Sequence, residues 1–286
     1  MVLCVLFALL GAASNATGTV LQRKAALAVP PEDALHPRLL VDMMRQPVWL
    51  LGICGVAGAA LFQALALVAG PLALAQPVFI LELPFALLIA MPVLHRALPG
   101  SGWVAVGCMV GGLVVALASA APSGGSTQAP MALWIPALIV CGGAMVLTVA
   151  ASRRRPSGTA RAALLGTAAA IGNALTAALI KSSADTFSQH GGRAFLTAWQ
   201  TYAFAVCGIW AVFLLENSLQ AGPIAASQPA LTLGDATVSL LLGVTLYGER
   251  IRTGWWIVPE LAAVGVITLG TLYLSRAIPL TRELAA

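Results

Sequence analysis

Nine apolar windows of about twenty residues, almost free of charge and set between short polar connections, constrain this chain more than any other feature. They run over 2–21, 48–69, 71–95, 102–121, 132–151, 162–181, 195–216, 222–247 and 254–275. At about 1.5 Å of rise per residue, each reaches across a hydrocarbon core of about 30 Å. No water is available there for backbone N–H and C=O groups, so each window must satisfy them internally as a helix. The expected fold is therefore all-α: a polytopic membrane protein of about nine transmembrane helices. Only 9% of residues are charged and 59% are hydrophobic, which excludes a soluble enzyme.

The net charge of +5 has a simple source in such a chain, namely basic loops on one membrane face. No basic stripe interleaved with aromatics is present, so nucleic acid is not a partner. The partners expected are the lipid bilayer and a small-molecule or ion substrate, with a homodimer left open. The five cysteines all lie in apolar runs without a C-x-x-C pair, and read as small hydrophobes. His36, His95 and His190 fall in polar connections too scattered for a metal site. No cofactor is expected, and no P-loop, nucleophile motif or H-E-x-x-H helix points to an enzyme. The first window lacks a positive n-region, and its pattern recurs later in the chain, so it reads as a span rather than a cleaved leader.

Nine alternating spans divide the fifteen basic residues unevenly. Eleven fall on one side: Arg23, Lys24, Arg38, Arg45, Arg96, Arg153, Arg154, Arg155, Arg161, Arg276 and Arg282. Only Lys181, Arg193, Arg250 and Arg252 fall on the other. Basic residues stay inside, which places the N-terminus outside an inner (cell) membrane and the C-terminus in the cytoplasm. The neutral link 122–130 (PSGGSTQAP) reads as a flexible external loop, and Arg153–Arg155 as an anchor to the anionic inner leaflet.

The two ends of the chain repeat each other. Segment 69–77 reads AGPLALAQP and segment 221–229 reads AGPIAASQP, identical at six of nine positions with an offset of 152. Gly102-Trp103 and Gly254-Trp255 fall in the same register. Asn15 precedes Arg23 by eight residues, as Asn173 precedes Lys181, at an offset of 158 that the connections absorb. The organisation expected is a four-span repeat over 1–121, a linker with a linking helix over 122–161, a second repeat over 162–276 and a short tail over 277–286. A four-span unit ends on the side where it began, so one extra crossing inverts the second unit. Inverted repeats are a common plan for secondary transporters, with the substrate site near the midplane. A purely structural duplication is the alternative.

The four-span unit resembles a small multidrug resistance subunit: a first helix with a polar residue eight before a closing cation, two helices joined at a Pro, and a Gly-rich fourth. Asn15-Ala-Thr-Gly-Thr-Val-Leu-Gln-Arg23 is similar to that family's Glu, Gly-Thr and closing Lys. Two such units fused through a helix resemble the drug/metabolite transporter (DMT) superfamily, including its EamA-like members. The 4+1+4 layout is similar to NIPA-type magnesium transporters, with Trp49-Leu-Leu-Gly52, Gly70-Pro71, Gln76-Pro77 and Ser119-Ala-Ala-Pro122 as supporting stretches. The resemblance implies alternating-access transport of a small organic solute or metabolite, or alternatively of Mg²⁺ or another divalent cation. At the position of the essential glutamate of small multidrug resistance proteins stand Asn15 and Asn173, and an amide exchanges no proton at physiological pH.

Three carboxylates remain inside the windows: Glu82, Asp235 and Glu260. A charge at the bilayer centre costs at least about 2.5–3.5 kcal/mol, so each should face protein or water. Glu82 and Asp235 stand one residue apart in repeat register. Gln76 and Gln228 each precede a Pro, where a helix loses a donor and can break towards a transport site, or simply kink for packing. The candidate substrate-binding or coupling set is thus Glu82, Asp235, Asn15, Asn173, Gln76, Gln228 and Glu260. For the acids the alternative role is a neutral tie between helices, and for Glu260 also a place nearer the interface. Gly107-x-x-x-Gly111 and Gly52, Gly55 and Gly58 should let helices approach closely. Trp103, Trp255 and Trp256 read as interface anchors. Tyr247-Gly-Glu249-Arg250 resembles the Gly-Glu ending of DMT repeats and is expected to provide a helix cap and an interface pair. A non-transporting scaffold, or the partner subunit of another chain, is the reading of a different class.

The charge split makes the topology testable. A reporter fused after Ala286 should be cytoplasmic and one inserted at Ser126 external, read by paired activity reporters in cells. Both on one side would defeat the nine-span order.

Overall fold

A computed structural model of the chain describes residues 1–27, 46–94, 100–222 and 224–277. The connection 28–45 with His36, the stretch 95–99 with His95 and Arg96, Pro223 and the tail 278–286 lie outside the described residues. The helices are α1 (Val2–Leu27), α2 (Pro47–Ala69), α3 (Leu72–Val78), α4 (Glu82–Leu94), α5 (Gly100–Ala120), α6 (Met131–Arg153), α7 (Thr159–Thr197), α8 (Trp199–Ala221), α9 (Ile224–Tyr247) and α10 (Ile257–Ala277). One 3₁₀ turn, Phe79–Leu81, joins α3 to α4, and another, Gly254–Trp256, precedes α10. No strand occurs among the described residues; a lone bridge pairs Ser123 with Arg250.

With α3 and α4 taken as one broken crossing, nine helical segments among the described residues are long and apolar enough to cross a membrane. Their outward faces are apolar: Leu147 is 71% exposed and Ile209 73%. Surfaces of that kind are stable only against lipid, and the chain is a multi-pass, all-helical membrane protein.

Three expectations change. The sixth window does not end at Lys181: α7 continues through the supposed connection to Thr197. No Pro interrupts that stretch, and Ser183 and Thr186 hydroxyls bond back to Leu179 and Ser182 carbonyls four residues earlier. The axis breaks only at Gly191, whose φ of +77° few L residues adopt. The link 122–130 is no free tether either. Ser123 and Arg250 exchange backbone bonds of 2.9 and 2.8 Å, Ser126 N–H donates to the Tyr247 carbonyl at 2.8 Å, and Gln128 Nε2 donates to the Ser182 carbonyl at 2.8 Å. Finally, only one Gln-Pro segment breaks its helix. After Pro77 the chain tightens into the 3₁₀ turn before resuming at Glu82, whereas Pro229 sits within an unbroken α9.

Helix α7 is the hub, packed against α2, α6, α8 and α9. Its core face is built of small residues, with Ala168, Ala169, Ala170, Ala174, Ala177 and Ala178 fully buried. In lipid the attraction between helices is mostly close van der Waals contact, which small residues permit. In the first half α1 packs on α2 and α4; in the second α7 packs on α8 and α9, while α3 meets α9 and α5 meets α10 across the halves. A serine secures the leading pair in each half: Ser14 Oγ donates to the Gly55 carbonyl at 2.8 Å, and Ser218 Oγ to the Ala162 carbonyl at 2.7 Å.

Glycines divide into two kinds. At Gly55 a Cβ would stand 2.9 Å from Gly18 Cα and 3.0 Å from the Ser14 oxygen, so α1 and α2 meet backbone to backbone. Gly107 and Gly111, expected to serve the same purpose, have open space around them; on α5 the close contact is made by Gly112 against Ala263 and Ile267. Gly107 and Gly111 instead border an apolar groove of about 440 Å³ between α5 and α10. Gly55→Leu should therefore lower the thermal midpoint in nanodiscs by an overpacking cost of about 1–3 kcal/mol. Gly107→Leu should change stability by less than about 0.5 kcal/mol.

Candidate functional site

The break after Pro77 places Glu82 at the first position of α4, inside the membrane-spanning crossing. Asn15 on α1 lies within side-chain hydrogen-bonding range of it. On α9, Asp235 accepts from Ser239 one turn later at 3.4 Å. Ten residues separate Glu82 from the start of α3 and twelve separate Asp235 from Tyr247 at the end of α9. These are about 15 and 18 Å of helix, close to half the depth of a 30 Å core. Both acids keep part of their surface accessible. These partners, Asn15 and Ser239, are uncharged.

The other candidates are dispersed. Gln76 is buried on α3, where Gln63 Nε2 of α2 approaches its Oε1 at 3.5 Å, a weak tie between those helices. Asn173 on α7 and Gln228 on α9 are half-buried. Asp235 takes Ser239 rather than an asparagine, so the partner of Glu82 is not reproduced by this hydrogen bond. Glu260 stands in the first turn of α10. Trp255 is 89% exposed and Trp256 has Arg252 over its ring at 5.1 Å, in keeping with anchoring.

Among the described residues, a buried ion pair joins two side chains that lie far apart in the sequence. Lys181 Nζ donates to Glu249 Oε1 at 2.6 Å, with the side chains 2% and 0% exposed. The same carboxylate accepts the Leu72 N–H at 2.6 Å and, through Oε2, the Ala73 N–H at 2.8 Å. Those are orphan donors at the start of α3, behind Pro71, and a carboxylate at the positive end of a helix is favourable twice over. Glu249 thus caps a helix, as its motif suggested. The capped helix is α3, 177 residues away, not its own.

The geometry around Glu249 is tightly set. Gly248, at φ +64°, ends α9, and the Glu249 N–H turns back to the Gly243 carbonyl at 2.9 Å. A Cβ at Gly243 would overlap the Glu249 carboxylate, and one at Gly125 would lie 2.6 Å from its Cγ. Lys181 also stands 4.6 Å from the Tyr247 ring centroid. Tyr247 OH donates to the Ala178 carbonyl at 2.5 Å and pairs with Ser182 Oγ at 2.9 Å. Trp134 completes the wall, edge-on to Trp199 and to Tyr247. Asp185, one turn beyond, is held by Gln128 and Gln189 amides at 3.1 and 3.0 Å. The sequence signals were present: Lys181 closes an apolar run and Glu249 follows a helix-ending glycine. Only the fold brings them together.

No known family model matches this chain, and no solved structure matches it. It is similar to an uncharacterized protein of Corynebacterium glutamicum, 28% identical over 282 residues that cover 96% of this chain and 95% of the relative. The likeness runs through both halves and the connecting helix together.

Removing one member of a buried pair strands the other charge, at a cost of about 3–5 kcal/mol. Lys181→Met should lower stability by that amount in thermal unfolding. Adding Glu249→Gln to it should cost less than the sum of the two single variants, because the stranded charge disappears.

Proposed function

We propose that this chain is a membrane transporter of the drug/metabolite type, moving a small organic solute by alternating access between two inverted four-span repeats. The observation that carries this reading is the pair of partly accessible acids, Glu82 and Asp235, near mid-depth of their helices and one residue apart in repeat register. A carboxylate is costly to keep at that depth, and one whose partner is an amide or hydroxyl has no cation beside it to cancel its charge when ionised. The broken crossing beside Glu82 supports the reading, since half-helices often frame transport sites. So does the matched packing of α1 with α2 and α4 and of α7 with α8 and α9. The basic split supports an inner-membrane orientation with the N-terminus outside and the C-terminus in the cytoplasm.

The NIPA-like layout favours a second reading, transport of Mg²⁺ or another divalent cation. Glu82 beside Asn15 and Asp235 beside Ser239 offer oxygen ligands, which suit a hard cation. Among the described residues no three His, Cys, Asp or Glu side chains converge, so such a cation would keep much of its own water.

Purified protein in proteoliposomes, assayed against a panel of organic solutes and divalent cations, separates the readings. For an organic solute driven by protons, Glu82→Gln and Asp235→Asn should abolish the response to a pH gradient while equilibrative exchange persists. For a divalent cation, either amide should reduce uptake about tenfold or more. Uptake unchanged in both variants would reject the acids as the transport site.

A further inference from the structure

The Glu249 carboxylate joins three helices at one end of the bundle: α9, whose end it follows, α7 through Lys181, and α3 through the Leu72 and Ala73 N–H groups. Helix α3 belongs to the first half of the chain, and α7 and α9 to the second. The seam they share is sealed beneath by one apolar cluster that includes Leu72, Tyr247 and Cys4 of α1. Cys4 is fully buried and fills the space beside Gly70.

The first half does not repeat this residue pair in sequence. An offset of 158 sets Arg23 in the place of Lys181, but an offset of 152 sets Ala97 in the place of Glu249. In sequence the cation is repeated and the carboxylate is not.

We infer that Lys181, Glu249 and the start of α3 form a latch that holds one end of the transport pathway shut and is released in each cycle. The inference rests on the transport reading above. A buried ion pair suits that task. Its desolvation cost nearly offsets its attraction, so opening exchanges one satisfied arrangement for another in which both ions and the α3 donors are hydrated. A seam of apolar contact alone would have no such compensation on exposure to water. Gly243 and Gly125 leave the carboxylate a seat without side chains that would obstruct its return.

The latch can be read without a substrate. In full-length protein in lipid nanodiscs, with Cys54, Cys108, Cys141 and Cys207 replaced by Ser, the rate of maleimide labelling at Cys4 reports opening of the seam. Labelling should be slow in this parent and about tenfold faster or more in Glu249→Gln. Gly243→Ala keeps both charges but obstructs the seat, and should accelerate labelling similarly; it remains informative should Glu249→Gln fail to fold. Labelling at the parental rate in folded variants would overturn the latch. Responsive labelling with no uptake of any solute or cation would overturn the transport reading alone.

Discussion

Between helices in lipid there is little hydrophobic force, because a hydrocarbon tail covers an apolar side chain as well as a neighbouring helix does. Everything that holds this bundle together follows from that constraint. Close approach supplies most of the attraction, and α7 provides it by presenting a face of alanines to four other helices. The leading pair of helices in each half adds a serine-to-carbonyl bond. Polar side chains elsewhere are few, so each one placed inside has a disproportionate effect on which helices can part and which cannot.

The all-helical fold and the number of crossings were legible because the bilayer imposes a length and a polarity on each window, and both are local properties of sequence. What escaped was non-local. Ser182–Ala194 has the composition of a loop, yet Lys181, Ser182, Ser183 and Asp185 find partners or burial that hold the segment in α7. Gly107 and Gly111 have the spacing of a contact motif but face open space, while Gly112, one residue on, takes the contact, because spacing defines a face without saying which neighbour covers it. The link 122–130 is neutral and rich in Gly and Ser, and is still fixed by backbone bonds to the residues that follow α9.

The candidate residues divide along the same line. Periodicity and repeat register were enough to single out Glu82 and Asp235, since a carboxylate in an apolar window is conspicuous. Their partners were harder to foresee: Asn15 reaches Glu82 from another helix, while Asp235 takes Ser239 from its own. Glu249 shows the limit most clearly. Its Gly-Glu context correctly suggests a cap, but nothing local reveals that the capped helix begins 177 residues earlier in the chain.

The two kinds of buried acid are fitted for different work. Glu249 spends both oxygens on fixed donors, two backbone N–H groups and a lysine, and its charge is cancelled where it stands. No ligand can gain from it without first dismantling a helix cap and an ion pair. Glu82 and Asp235 are bound by weaker, neutral partners and keep part of their surface accessible, which in the transport reading proposed above leaves them open to a proton or a cationic group. Under the transport reading proposed above, the chain needs this separation. An acid used for closure has to be saturated, whereas an acid used for exchange cannot be.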